Sequence, residues 1–226
     1  MTRQYLRAAA WAALALSAVG AAGAAGASDG DSVSTVMGSI TVNASEHRGD
    51  LTTVNGSIHV GESAVVGQAH TVNGSVTLAG RASAAEVKTV NGAVRLEDGA
   101  QVSGGVHTVN GALSLGRDAS VTGVLANVNG GIRVGAAHVG GDVETVTGGI
   151  EIGPDAHVDG GVIVHKEHSS DSDTRSPQRI VIGPGSVVKG TLRFERPVQL
   201  YVSDRATIGP VEGATAIKFA GDHPPG

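Results

Sequence analysis

Cysteine is absent from the 226-residue chain. That excludes a disulfide, a thiolate metal site and a cysteine nucleophile. Aromatic residues are almost absent too: one Trp, two Tyr and two Phe. Ordinary globular cores use aromatic side chains to fill volume, so a core made of Val, Ile, Leu and Ala has to be narrow and regular. There is no excess of basic charge; the formal net charge is −5, which excludes the basic face that nucleic-acid binding needs. Long apolar runs are also missing. The one candidate, Ala8 to Val19, is about twelve residues, short of the ~20 that span a bilayer.

That run has the layout of a secretory signal peptide: Arg3 and Arg7 first, then the apolar stretch, then small residues ending at Ala25-Gly26-Ala27. Cleavage is expected after Ala27, giving a signal peptide at 1–27 and a periplasmic or secreted mature chain. Removing 1–27 takes away two Arg and no acid. It leaves 14 basic and 21 acidic residues, a formal charge of −7. Tyr5 and Trp11 leave as well, so the remaining aromatics, Phe194, Tyr201 and Phe219, all stand near the C-terminus.

What the chain has in abundance is glycine, 35 residues, and a repeat. Thr53-Val54-Asn55-Gly56-Ser57-Ile58 returns as Thr71-Val72-Asn73-Gly74-Ser75-Val76. The motif glycines are Gly38, Gly56, Gly74, Gly92, Gly111, Gly130 and Gly148, spaced 18 or 19 apart. A period this short cannot hold two helices, and the leucine pattern of leucine-rich repeats is missing. It suits one turn of a solenoid. The expected fold is all-β: a single-stranded three-sided parallel β-helix with 18–19-residue coils. Ile58-x-Val60 and Ala64-x-Val66 read as strands with one face inward. Asn55-Gly56 and Gly61-Glu62 read as corners. Each level of such a prism has the same cross-section and therefore asks for the same residues. Two interior columns are expected, one through Val54, Val72, Val90, Val109, Val128 and Val146, the other through Ile40, Ile58, Val76, Val94, Leu113, Ile132 and Ile150.

Asn55, Asn73, Asn91, Asn110 and Asn129 form a structural ladder at one corner, able to hydrogen-bond along the axis as in other stacked strands. Asn-x-Ser at Asn43, Asn55 and Asn73 also fits a glycosylation acceptor, but the Asn column continues where the third residue is Ala93, so the turn itself asks for Asn. Regular coils are expected over 28–164. A polar insertion follows at 165–178, then C-terminal coils and a cap over 179–219 and a disordered tail at 220–226. Phe194, Tyr201 and Phe219 are the expected cap, because terminal repeats close a core that the stack would otherwise expose.

Candidate chemistry is sparse. His70, His107, His138 and His157 occupy outward columns and read as solvated surface. His165, Glu167 and His168, with Asp171 and Asp173 nearby, form the only dense set, a weak metal candidate on a loop. No catalytic residue, cofactor or resident metal is expected, since nucleophile-elbow, phosphate-loop and HExxH motifs are missing. The Thr column is Thr-x-Asn, whereas ice-binding β-helices carry Thr-x-Thr. A six-residue sub-period, Val54, Val60, Val66, Val72, is similar to that of hexapeptide acyltransferases and keeps such an enzyme as an alternative, beside a weak metal-binding envelope protein.

The reiterated TVNG-[SAG]-[IVL] phrase over 35–152 resembles the repeat of a bacterial adhesin-like family. Phrases such as "GSVVKGTLRF" resemble bactofilins, cytoskeletal β-helices that polymerise end to end. The resemblance implies a non-catalytic structural or surface-interaction protein of the bacterial envelope. Its partner would be a protein or another envelope component, with self-association through the N-terminal end and with neither nucleic acid nor a transmembrane segment involved.

Overall fold

The structure is a computed structural model and describes residues 31–166 and 177–224. The signal peptide expected at 1–27 lies outside them. So do Glu167, His168, Asp171 and Asp173 of the polar insertion.

Among the described residues every regular element is a strand, and every strand pairing is parallel. The chain winds as a β-solenoid of about nine turns. Its first side is a ten-stranded sheet from Ile40–Val42 to Ala216–Phe219. The second side holds short strands such as Gln101–Val102 and His138–Val139. The third holds the Thr-Val-Asn strands, such as Leu51–Asn55 and Val106–Asn110. Val65–Asn73 and Ser83–Asn91 run from the second side into the third without a break, which joins those two sides into one 16-stranded sheet.

Registers follow the repeat. Ile58 pairs with Val76, 18 residues on, and Val94 with Leu113, 19 on. Ile150 pairs with Ile180, 30 residues on. The insertion therefore loops out of a coil and the stack resumes in phase. Gln178 secures the return: it is buried, and its Nε2 donates to the Val146 carbonyl at 2.9 Å.

The column through Ile40 and Ile58 is interior, as are Val42, Val60, Leu78, Leu96, Leu115, Val134 and Ile152. The Val54 column is not. Val54, Val72, Val90, Val109, Val128 and Val146 are only half-buried, whereas their neighbours Thr53, Thr71, Thr89, Thr108 and Thr145 are 0–4% exposed. Thr is β-branched and close to Val in volume, so it fills the prism. Its hydroxyl also satisfies an otherwise awkward acceptor beside the corner. Thr71 Oγ1 donates to the Gly56 carbonyl at 2.8 Å and Thr89 Oγ1 to that of Gly74 at 2.9 Å. Thr53, Thr71, Thr89 and Thr108 thus tie their coils to the corner of the coil before, a bond Val cannot make, while Thr145 Oγ1 accepts from the Gly148 N–H of its own coil.

A second corner column adopts left-handed backbone through Ser45, Ser63, Arg81, Asp118 and Asp155, with φ between 56° and 60°, and through Gly99 and Gly185. This corner recurs with the period even where the residue is not glycine, because the stack over-determines its conformation.

Candidate functional site

The Asn ladder is continuous. Nδ2 of Asn73, Asn91, Asn110 and Asn129 each donates to Oδ1 of the Asn one coil earlier, at 2.8–2.9 Å. The column starts after Met37, which is paired with Asn55, and ends at Thr147, whose hydroxyl donates to Asn129 Oδ1. All five Asn are exposed. Water can therefore replace a lost bond. Asn91→Ala removes one donated and one accepted bond, and the expected loss is about 1 kcal/mol. Urea unfolding of the variant checks this; a loss of ~3 kcal/mol would mean that the ladder carries buried-group energetics.

Ionisable groups lie on the outward columns of all three sides and pair locally, as Arg133 does with Glu151 on the first. On the third side Glu86 accepts an ion pair from Lys88 at 2.8 Å and stands 3.6 Å from His107 Nε2. Burial is the main cause that pushes His107 down to about 4; Glu86 opposes it and Lys88 adds to it. His70, paired in register with Lys88, is lowered for the same two reasons, burial first. On the second side His138 Nε2 lies 2.9 Å from Asp159 Oδ2, and Lys189 reaches the other oxygen at 2.7 Å. These two partners, Lys189 first, lower the Asp159 carboxyl. His157 is in register beside His138 and contacts the Asp155 carbonyl at 3.1 Å.

His165, the described member of the metal candidate, sits between carboxylates of two other coils. Its Nε2 is 3.0 Å from Glu144 Oε2 and its Nδ1 is 3.8 Å from Glu195 Oε2, while the Lys166 N–H donates to Glu195 at 3.1 Å. The Glu144 contact is the largest cause raising its pKa. The arrangement resembles an ion-pair clasp at the mouth of the insertion. Among the described residues no group of three or more His, Asp or Glu is placed to hold a metal ion.

The three cap residues divide. Phe194 is 5% exposed and belongs to the aliphatic core, so the last coils do have room for a ring. Phe219 is also 5% exposed, in the final strand beside Ser203. Tyr201 does not close the core. It alternates out of a strand whose Leu200 and Val202 point inward, and Arg179 stands 5.2 Å above its ring. The end of the interior column is instead Lys218: in register after Ile182 and Val202, it occupies an aliphatic position with its side chain exposed. The placement of Glu144, Glu195 and Lys218 was not legible in the sequence, since each is set by a residue on another coil. A shallow surface concavity of about 280 Å³ lies over Ser83, Ala85, Gln101 and Ser103 on the second side and is not a cleft.

Among the described residues no helix is long and apolar enough to cross a membrane. Comparison of the chain with models of protein families, with curated proteins and with solved structures finds no match.

Proposed function

We propose that the chain is a non-catalytic, exported β-helix that acts as a structural or surface-interaction, adhesin-like protein of the bacterial envelope. The observation that carries this reading is the difference between the two ends of a rigid, repetitive rod. At the N-terminal end the edge strands Val33–Met37 and Ile40–Val42 each pair with one strand only. Val36 and Met37 there are 61% and 79% exposed. An edge of this kind is a template for another strand. At the C-terminal end the same interior column that starts with Val42 ends with Lys218, and a charge in that place discourages stacking by another core.

Self-association then joins N-terminal edge to N-terminal edge across a two-fold axis and closes at a dimer. Such a rod displays its outward columns of Ser, Thr, His and paired charges to an envelope partner. Light scattering and electron microscopy of residues 28–226 test the association. A dimer is expected, and Met37→Lys should return it to monomer. Long filaments would overturn the asymmetry of the ends and move the reading to a bactofilin-like polymer. Fractionation of cells producing the full chain tests export: the expected product is periplasmic or secreted and shortened by the leader. A full-length cytoplasmic product would sink the envelope reading.

A further inference from the structure

Five steps of the ladder are Asn-Gly: 55–56, 73–74, 91–92, 110–111 and 129–130. Asn-Gly is chemically the most fragile peptide step. The glycine nitrogen has no bulky neighbour to hinder its attack on the preceding carboxamide, so such steps cyclise and lose ammonia wherever the backbone allows it. Five in one exposed column would be a liability unless the fold restrained the nitrogen.

In four coils it does. The N–H groups of Gly56, Gly74, Gly92 and Gly111 donate to the carbonyls of Asn73, Asn91, Asn110 and Asn129, at 2.9–3.1 Å. Each attacking nitrogen is therefore held in the strand-like ladder, with its proton engaged and its backbone fixed by the next coil.

The fifth step differs in three independent respects. The strand Leu125–Asn129 pairs with the next coil only at Leu125 and Ala126, so among the described residues the Gly130 N–H has no backbone acceptor. Gly130 has φ of 129°, whereas none of the other four step glycines lies in the positive region. The third difference concerns the amide itself: Asn129 Oδ1 accepts from the Thr147 hydroxyl instead of from another carboxamide, a donor placed to stabilise negative charge as it develops on that oxygen.

One residue distinguishes this coil from the four before it. Asn127 stands where the other coils have the buried Thr. It is 4% exposed, and its Nδ2 donates to the Gly130 carbonyl at 2.6 Å, within its own coil. It also reaches back to the Gly111 carbonyl of the previous coil, at 3.4 Å, whereas Thr71, Thr89 and Thr108 donate to the previous coil alone. Asn127 thereby fastens the Gly130 carbonyl within its own coil, a bond the other corners lack.

We propose that Asn129 is a site of spontaneous, site-selective deamidation in the folded protein, released by the Asn127 corner while the four preceding Asn-Gly steps are protected. The Gly130 nitrogen gives its proton to solvent base and attacks Cγ of Asn129. The Cγ–Nδ2 bond breaks, and the nitrogen takes up a proton and leaves as ammonia. Water then opens the cyclic imide at either carbonyl, leaving aspartate or isoaspartate at 129. Either product replaces the amide donor that binds Asn110 Oδ1 with a carboxylate, which repels that oxygen. Isoaspartate also lengthens the backbone of one coil by one bond, against neighbours that stay in register. The ladder is thus cut at its last Asn, two coils ahead of the His165 clasp.

Peptide mapping by mass spectrometry of the folded mature protein, incubated at mildly alkaline pH, reads the five steps side by side. Asn129 is expected to convert at least about tenfold faster than Asn91. In urea that unfolds the chain, the five rates should converge. Asn127→Thr restores the residue of the other coils and should slow Asn129 severalfold. Equal folded-state rates at Asn129 and Asn91 would overturn the proposal, and an unchanged Asn129 rate in Asn127→Thr would overturn its cause. The comparison within the wild-type chain needs no variant to fold.

Discussion

Gly92→Ala is expected to destabilise the solenoid by about 3 kcal/mol or more. A Cβ built on Gly92 lies 2.5 Å from the Gly74 carbonyl carbon and closer still to its oxygen. Gly56, Gly74 and Gly111 meet the same obstacle. The requirement is close approach rather than backbone conformation, since none of these four has a positive φ. The obstructing carbonyl cannot yield: that of Gly74 accepts the Thr89 hydroxyl, and the coil carrying it is bonded above and below. Gly80→Ala is the control. Its added Cβ would meet only the Asp98 carbonyl oxygen, at 3.5 Å, an ordinary contact, and the change should fall within about 1 kcal/mol. Thermal and urea unfolding of the pair decides it. Equal effects of the two substitutions would show that the corner has slack.

Stability is expected to fall as the pH is lowered from about 6.5 to about 4. His107 is the main reason. Its imidazole is packed against the third side with 17% of the side chain exposed, and burial holds its folded pKa at about 4, below the unfolded value of 6.5. The unfolded chain therefore takes up the proton first as pH falls. The stabilisation from a neutral His107 is complete above 6.5 and is progressively lost down to 4; its size is up to about 3 kcal/mol. His70 is depressed for the same reason and acts in the same direction. His165 acts oppositely. Glu144 raises its folded pKa, so its contribution is present below 6.5 and disappears as pH rises through the folded value. Urea unfolding at pH 7.5, 6 and 4.5 should show a net decline, flattened in His107→Gln and steepened in His165→Gln. A protein as stable at pH 4.5 as at 7.5 would refute the burial of His107.

Both expectations rest on a period that is visible without coordinates. The 18–19-residue spacing of Gly38 to Gly148 is the spacing of the strand registers, because parallel coils stack residue on equivalent residue and a constant cross-section demands constant chemistry. The Asn ladder, the Ile40 column and the rarity of aromatics follow from that alone. So does the point where the insertion leaves the stack.

The sequence by itself determined which residues lie above one another. Only the tertiary structure decided which of them face inward. Val54 and Ile58 are four residues apart, an even number, and alternation along a straight strand would put them on one side. The Asn55-Gly56 corner bends the chain between them, so Ile58 is interior while Val54 stays half out and Thr53 takes the core position. Corner geometry is set by the carbonyl that Thr binds on the previous coil, a contact with no local signature. The same holds for His165, whose carboxylates come from Glu144 on an earlier coil and Glu195 on a later one. It holds too for Lys218, which reads as an ordinary surface lysine until the stack sets it above Val202. Periodicity is carried by every repeat and survives in one dimension. Phase, partners and ends depend on how the bends add up in three.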